Sequence, residues 1–275
     1  MAQTAEIEPQ ASTIEPTVNY LLDTGITPST YTGGPGSTEV KSVGTLDPHR
    51  VTIRSGRDRD FILERDGFVF VPHDTKMVDF FDADELRRVY YPEIEALIKA
   101  QSGASRVVVF DHTLRTADDT FREQHKIREV VQRVHNDYTE WSGPQRLKEI
   151  LPDEADELLK RRFAIIQVWR PIRYPVETFP LAICDARSVQ FSDFVISERR
   201  YPNRVGQTYS VKYNPDHQWY WFPLMRRDEA LVFKVYDSMK DGRARWTAHT
   251  AFDVPSPPPN GRPRESIEIR TLAFF

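Results

Sequence analysis

The sequence predicts an α+β fold in which helices, drawn mainly from the N-terminal half, pack on a jelly roll of short strands. Three observations predict it. From Phe163 onward the chain breaks into short aromatic or β-branched runs: FAIIQVW, LAICD, VQFSDFVI, TYSVKY, WYWF, ALVFKVY, TAHTAF and SIEIRTLAFF. Turn formers separate them at Pro171, Pro202-Asn203, Asn214-Pro215, Asp241-Gly242 and Pro257-Pro258-Pro259-Asn260-Gly261. Helical spacing of apolar residues is found before Phe163 and not after it. Strands so short and so punctuated bury their apolar faces as an antiparallel sandwich or barrel. No internal repeat divides the chain, so the expectation is one domain over 17–275 with its rolled core mainly in 105–275.

Taken in order, residues 1 to about 16 are polar, alanine-rich and without period, as in a loose arm. Thr30 to Ser42 concentrates Gly, Pro, Ser and Thr and reads as an exposed connection. Its Gly33-Gly34-Pro35-Gly36 cluster lacks the Lys-Ser/Thr pair and the following helix that a phosphate loop requires. Strands are expected at Val51–Arg54 and, after the turn at Asp66-Gly67, at Phe68–Val71. Asp84 to Lys99 has helical spacing through Leu86, Val89, Tyr90, Ile94 and Leu97, with Asp82 or Asp84 as cap. Pro92 inside that pattern predicts a kink or a break. Arg106–Phe110 is a short buried strand. Between Asp118 and Arg162 two helical pieces flank an interruption at His135-Asn136-Asp137.

Composition excludes several functions. A net charge of -4 over 275 residues, with both signs interspersed and no Lys/Arg stripe, is unsuited to nucleic acid. No apolar run reaches membrane-spanning length, and MAQTAEIEPQ has neither the basic start nor the apolar stretch of a signal peptide. The single cysteine, Cys184, lies in an apolar segment as a buried, inert thiol. A cytoplasmic protein is expected. A nucleotide-dependent transferase such as a methyltransferase needs a glycine-rich strand-to-helix turn. None of the 12 glycines makes one.

The chemistry gathers in three places. In Val134-His135-Asn136-Asp137 an imidazole and a carboxylate stand two residues apart, on one face if the segment is extended. Alone, the pair reads better as a surface histidine between two helices, with Asp137 as the N-cap of the helix entering at Thr139. His249 then occurs in the alternating run Trp246-Thr247-Ala248-His249-Thr250-Ala251-Phe252. Fifteen residues after His249, Arg264-Glu265-Ser266 opens the last strand, with guanidinium and hydroxyl on one side. Two histidines and one carboxylate form a facial triad suited to iron(II), leaving three positions for a chelating cosubstrate, water and dioxygen. Arg264 with Ser266 can take both oxygens of the far carboxylate of 2-oxoglutarate. Arg270 shares the parity of Arg264 and is the alternative anchor. His217 and His112 are spare histidines, His217 expected in a solvated turn.

These segments resemble the CmcJ/NvfI/asaB-type hydroxylase/desaturase family of non-haem iron(II), 2-oxoglutarate-dependent oxygenases. The resemblance is carried by Gly67-Phe68, Tyr91-Pro92-Glu93, Val134 to Thr139, Val168-Trp169-Arg170-Pro171-Ile172, Pro180 to Ser188, Trp219 to Pro223, Phe233 to Ser238, His249 to Phe252 and Arg264 to Glu268. It covers most of the chain from about residue 50. It implies a double-stranded β-helix, Fe(II), 2-oxoglutarate and O2 as cosubstrates, and oxidation of an unactivated C–H bond in secondary metabolism. The substrate implied is a small molecule, a natural-product intermediate or an amino acid. Hydroxylation, desaturation and ring formation stay open, as does a homodimer. His135, Asp137 and His249 match the ligand positions, and Arg264 and Ser266 the cosubstrate position.

Three further residues are candidates. Tyr209 shares a strand face with Val211 and Tyr213 and could hydrogen-bond the cosubstrate, although such tyrosines more often serve packing. Arg170 could pair with a substrate carboxylate or with an internal acid such as Asp185 or Asp237. Trp221, within Trp219-Tyr220-Trp221-Phe222, could wall a substrate pocket or fill the core. A non-catalytic jelly roll that only binds a small molecule is the rival reading, since it would keep the strands without needing the three ligands.

Overall fold

The computed structural model describes residues 12–32, 40–125, 127–202 and 204–275. Among these, two large sheets pack face to face. The ten-stranded sheet runs in the order Thr13–Ile14, Ile53–Ser55, Trp219–Trp221, Leu181–Cys184, His249–Ala251, His135–Asn136, Arg204–Val211, Phe194–Tyr201, Ser29–Thr32, Val40–Val43. The five-stranded sheet runs Phe68–Pro72, Glu229–Asp237, Phe163–Pro171, Glu265–Phe274, Arg106–Thr116. From Trp219 to the end, successive strands alternate between the sheets, which rolls the chain. The sheet-rich architecture is consistent with the jelly roll. All pairings in the large sheets are antiparallel except Phe194–Tyr201 with Ser29–Thr32 and Trp219–Trp221 with Ile53–Ser55. That pattern leaves no doubly wound parallel sheet for a nucleotide-dependent transferase.

Alternation along each strand sorts the side chains into three layers. Between the sheets lie Phe163, Ile165, Ile183, Tyr220, Phe233 and Leu272, among others. Outside the five-stranded sheet, Ala164, Ile166, Val168, Val232 and Ile269 pack against Leu86, Ile94 and Ile98 of the helical segment. Outside the ten-stranded sheet, Val18 and Tyr20 cover Ala182, Cys184, Trp219 and Trp221. Cys184 is buried, and burial pushes its thiol up to about 12. The helical segment begins at Asp82, whose carboxylate accepts from the Asp84 and Glu85 N–H groups. It then passes through a π turn over Leu86–Tyr90 into the helix Tyr91–Ser102. Pro92 thus sits directly after the π turn, where the hydrogen-bond ladder has already shifted register, and the helical segment continues through it.

Several expectations shift. From Thr13 the chain already pairs with Ile53–Arg54, so the loose arm does not extend to residue 16; residues 1–11 lie outside the described residues. The ends of the Thr30–Ser42 connection are strands of a hairpin, with Ser29 opposite Val43, while the Gly33–Gly36 cluster lies outside the described residues. Val51 and Thr52 precede the short strand Ile53–Ser55 rather than belonging to it. The Arg106 strand continues past Phe110 to Thr116, with a bulge opposite Arg270/Thr271. Beyond the bulge, Asp111, Thr113 and Arg115 face the same interior as Val108 and Phe110 before it.

At the closed end of the sheets, Asp237 is fully buried between Arg162 (2.8 Å) and Lys234 (2.9 Å), and Glu64 bonds the same two cations. Burial opposes ionisation of Asp237, but the two cations hold its carboxyl below the usual range. A lowered folded value means that its stabilisation is complete above the unfolded carboxylate pKa of ~3.9 and is lost as pH falls through the folded value. Asp237→Asn is expected to cost about 3 kcal/mol at pH 7, because two buried cations are left to share the single, half-exposed counter-charge of Glu64. It should also flatten the acid limb of a Tm-versus-pH curve below about pH 4. An unchanged acid limb would remove this role from Asp237.

Candidate metal centre

His135 and His249 meet because their strands are neighbours in register. His135 is the direct antiparallel partner of His249, and opposed residues in such a pair share a face. Their ring centroids are 4.3 Å apart. The strand His135–Asn136 ends one residue before Asp137, so strand alternation does not place the carboxylate; a bend does. Asp137 Oδ1 nevertheless lies 3.5 Å from His135 Nε2, and the ligand atoms of the three residues all lie within 4.8 Å of one another. Asp137 caps no helix: the next one, Ser142–Ile150, is preceded by mutual hydrogen bonds between Thr139 and Ser142.

Each histidine is held by the carbonyl two residues before it. His135 Nδ1 donates to the Arg133 carbonyl (2.8 Å) and His249 Nδ1 to the Thr247 carbonyl (3.0 Å). A carbonyl can only accept, so Nδ1 carries a proton in both rings and Nε2 is the atom left to face the centre. His249 Nε2 is buried with no partner among the described residues. Burial, and then the neighbouring His249, push His135 well below the usual imidazole value, so its ring is neutral. Asp137 Oδ2 accepts from Gln167 Nε2 (2.7 Å) and from Arg270 Nε and Nη2 (3.3 Å each), leaving Oδ1 toward the imidazoles. Burial works against its charge, but Arg270, both histidines and Arg199 hold it well below the carboxylate range. Two neutral nitrogens and one anionic oxygen fit a divalent iron ion.

Asn136 ties the centre together. Fully buried, it donates to the carbonyls of Tyr138 (2.8 Å) and Val235 (2.9 Å) and accepts from Thr247 N–H (3.1 Å). It therefore fixes the turn carrying Asp137 and the segment whose carbonyl orients His249. Thr247 in turn donates from its hydroxyl to the Gly67 carbonyl (3.1 Å). Gly67 has φ 89°, and a Cβ there would stand 2.4 Å from that hydroxyl, so only glycine fits.

The two candidate anchors differ in what surrounds them. Arg270 bonds Asp111 (3.2 Å), Asp137 (3.3 Å), Thr113 (2.8 Å) and, closely, Glu268. Its donors are engaged within the protein, and it serves to fix Asp137. Arg264 is buried, has no carboxylate partner among the described residues, donates to the Phe179 carbonyl (2.7 Å) and lies over the Trp169 ring. Its Nε and the Ser266 hydroxyl are buried without partners. Burial, and then the charge of Arg115, lower Arg264 to about 9, which leaves it protonated at neutral pH. Arg115 is the cross-strand partner of Ser266. Arg115, Trp169, Arg264 and the three triad residues line one cleft.

Other candidates lie elsewhere. Tyr209 pairs with Asn136, not His135, so it faces away from the triad and packs on Phe194 and Trp246. Trp221 is buried on the outer side of its sheet against Phe252. Arg170 is buried on the helix-covered face, bonding the His73 and Arg227 carbonyls rather than a pocket, Asp185 or Asp237. His217 is buried between Tyr20 and Asp193 rather than solvated, and His112 bonds Tyr91. Gln167, Arg115, Glu268 and Asn136 escaped sequence reasoning. Only Gln167 carried a signal, as a polar residue at an inward position of the apolar run FAIIQVW.

Two packed sheets enclosing two imidazoles and a carboxylate define the class: a non-haem iron oxygenase. The family described as an oxidoreductase/YMDC permease-like domain matches residues 18–274. The alpha-ketoglutarate-dependent dioxygenase phiK of Fungal sp. is 34% identical over 84% of this chain and 85% of that protein. The hydroxylase/desaturase efuI of Hormonema carpetanum is 33% identical over 97% and 96%. Among solved structures, the iron and alpha-ketoglutarate-dependent endoperoxidase NvfI superposes with a TM-score of 0.82 at 26% identity, covering 96% of this chain and 98% of that one. The chain belongs to this family of Fe(II)/2-oxoglutarate-dependent oxygenases.

Removing the Asn136 clamp should be costly. Asn136→Ala leaves one buried N–H and two carbonyls short of a partner, an expected loss of about 2–4 kcal/mol in urea unfolding. A change below ~0.5 kcal/mol, the usual range for surface substitutions, would show that the clamp is not needed.

Proposed function

We propose that this protein oxidises an unactivated C–H bond of a small molecule in secondary metabolism, with His135, Asp137 and His249 holding iron(II) and Arg264 with Ser266 holding the far carboxylate of 2-oxoglutarate. One observation supports the reading: the cleft that gathers the three candidate ligands is also lined by Arg264, whose buried Nε has no partner among the described residues, and the Ser266 hydroxyl two residues on is likewise buried and unpartnered among them. Buried polar groups are costly unless bonded, and a carboxylate oxygen pair satisfies both. Arg264 is preferred to Arg270 because Arg270 already has three acidic neighbours. The same reading takes the fold as a double-stranded β-helix in one domain from residue 17, working in the cytoplasm on a natural-product intermediate or amino acid. A homodimer is compatible with it.

When bound, iron(II) with 2-oxoglutarate and dioxygen supplies the oxidising power, with release of succinate and carbon dioxide. The chain contributes placement. Gln167 and Arg270 hold one carboxylate oxygen of Asp137 so that the other is presented to the centre. The Arg133 and Thr247 carbonyls engage both Nδ1 atoms, so that Nε2 of each ring is the atom presented to the centre. The apolar layer between the sheets, with Trp169 and Leu181 at the cleft, keeps water from the reacting carbon. Whether an alcohol, an alkene or a ring results is set by how the substrate lies.

The first test is metal content of protein purified without oxygen, followed by succinate release with and without 2-oxoglutarate. Iron binding and 2-oxoglutarate-dependent succinate are expected; absence of both would favour a non-catalytic binding protein. His249→Ala should abolish iron binding, whereas His217→Ala should retain it, and the opposite result would reassign the distal ligand. Arg264→Ala is expected to raise the 2-oxoglutarate requirement about 10-fold or more with little change in iron affinity, since a charge-assisted bond is lost. Arg270→Ala should instead weaken iron binding, by about 10–100-fold, because it frees the Asp137 carboxylate. An unchanged 2-oxoglutarate requirement in Arg264→Ala would move the anchor elsewhere.

A further inference from the structure

Assigning Arg264 to the cosubstrate leaves two arginines on the metal-facing side of the other sheet. Ser210 is the partner of His135, and Val195 is the partner of Ser210, so the three share a face. Two and four residues along that strand, Ser197 and Arg199 keep the same parity. The Cα partner of Arg199 on the neighbouring parallel strand is Thr30, and the Thr30 hydroxyl accepts from Arg133 Nη2 (3.0 Å). Arg133 stands two residues before His135, with the intervening Val134 packed on the outer side of the sheet. The Arg133 guanidinium therefore reaches the residue that pairs with Arg199, whose backbone lies about 13 Å of strand from Val195 in the row of His135, at a rise near 3.3 Å per residue.

Neither arginine has a carboxylate partner among the described residues. Arg133 bonds only the neutral Thr30 hydroxyl, and the Arg199 Nε is buried and unbonded. The chain has 41 acidic against 37 basic residues, and most of its other arginines are paired, so composition does not force this shortage. Two like charges held side by side repel unless an anion lies between them. Planar guanidinium groups are matched to the oxygens of an oxyanion.

We propose that Arg133 and Arg199 bind an oxyanion of the substrate, a carboxylate or an acidic enol, and so direct the rest of the molecule toward the triad. The proposal rests on the oxygenase reading and adds the substrate class: an acid whose oxidised carbon lies several bonds from its charged group. The cosubstrate does not need this site, because Arg264 and Ser266 belong to the opposite, five-stranded side of the cleft. The two anions are then held on facing sheets with the metal ligands between them.

The test uses the iron(II) enzyme with saturating 2-oxoglutarate under nitrogen. 2-Naphthoate and 2-naphthamide, alike in shape and different in charge, are titrated and followed by probe fluorescence. The wild type is expected to bind the carboxylate at least about tenfold more tightly than the amide, the factor a charge-assisted pair supplies. Arg199→Gln and Arg133→Gln should each bring that ratio toward one without weakening the amide, and Arg199→Lys should retain part of it. Equal affinities in the wild type, no binding of the naphthoate, or a ratio unchanged in both glutamine variants would overturn the proposal. Succinate release is measured in the same preparations. Its failure would sink the oxygenase reading, whereas an absent charge preference with succinate release intact would sink only this one.

Discussion

The site depends on a single cross-strand pairing, that of His135 with His249. Residues more than a hundred positions apart become directly opposed, on one face, by backbone hydrogen bonding alone. Everything else at the centre refines that placement. The two carbonyls fix the tautomers, Gln167 and Arg270 fix the carboxylate, and Asn136 joins the backbone of both ligand segments. None of these partners would matter if the register slipped by one residue, because a slip turns every side chain of a strand to the other face. The dense core between the sheets, with Phe233 packed against the His249 ring, is what specifies that register.

Much of this was legible in the sequence, because strand alternation and turn residues are local signals. The runs after Phe163 fall on the observed strands, except that Phe191–Asp193 of VQFSDFVI forms a 3-10 turn before the strand at Phe194, and the three residues that meet at the centre were singled out from spacing and chain order. What was not legible depended on breaks in periodicity. The bulge opposite Arg270 changes which residues of the Arg106–Thr116 strand face inward, so Asp111, Thr113 and Arg115 could not be read from alternation. Asp137 is placed by a bend, which happens to give the side that an extended strand would have given. Tyr209 was misplaced for the opposite reason: its strand is regular, but parity relative to His135 requires knowing that Ser210 is the partner. Asn136 looked inconsequential because a buried asparagine bonding three backbone groups from three segments leaves no pattern along the chain.

The arginines illustrate how one residue type divides into roles according to its surroundings. Arg270 is surrounded by acids and fixes a ligand. Arg170, fully buried, bonds carbonyls under Tyr90 and fixes a turn. Arg264, also buried, has no carboxylate within bonding distance among the described residues. Burial alone therefore does not mark a functional cation. The informative quantity is burial together with bonds that are missing.

The strand His135–Asn136 is only two residues long, yet it is the one connection across the middle of a sheet ten strands wide. On one side lie the strands through Leu181–Cys184 and Trp219–Trp221, on the other Arg204–Val211 and its neighbours. The ladder that joins the two halves at His249 is a single pair, and it is the one that opposes the two imidazoles. An ion seated between those imidazoles would act as a rivet through the sheet's least paired seam.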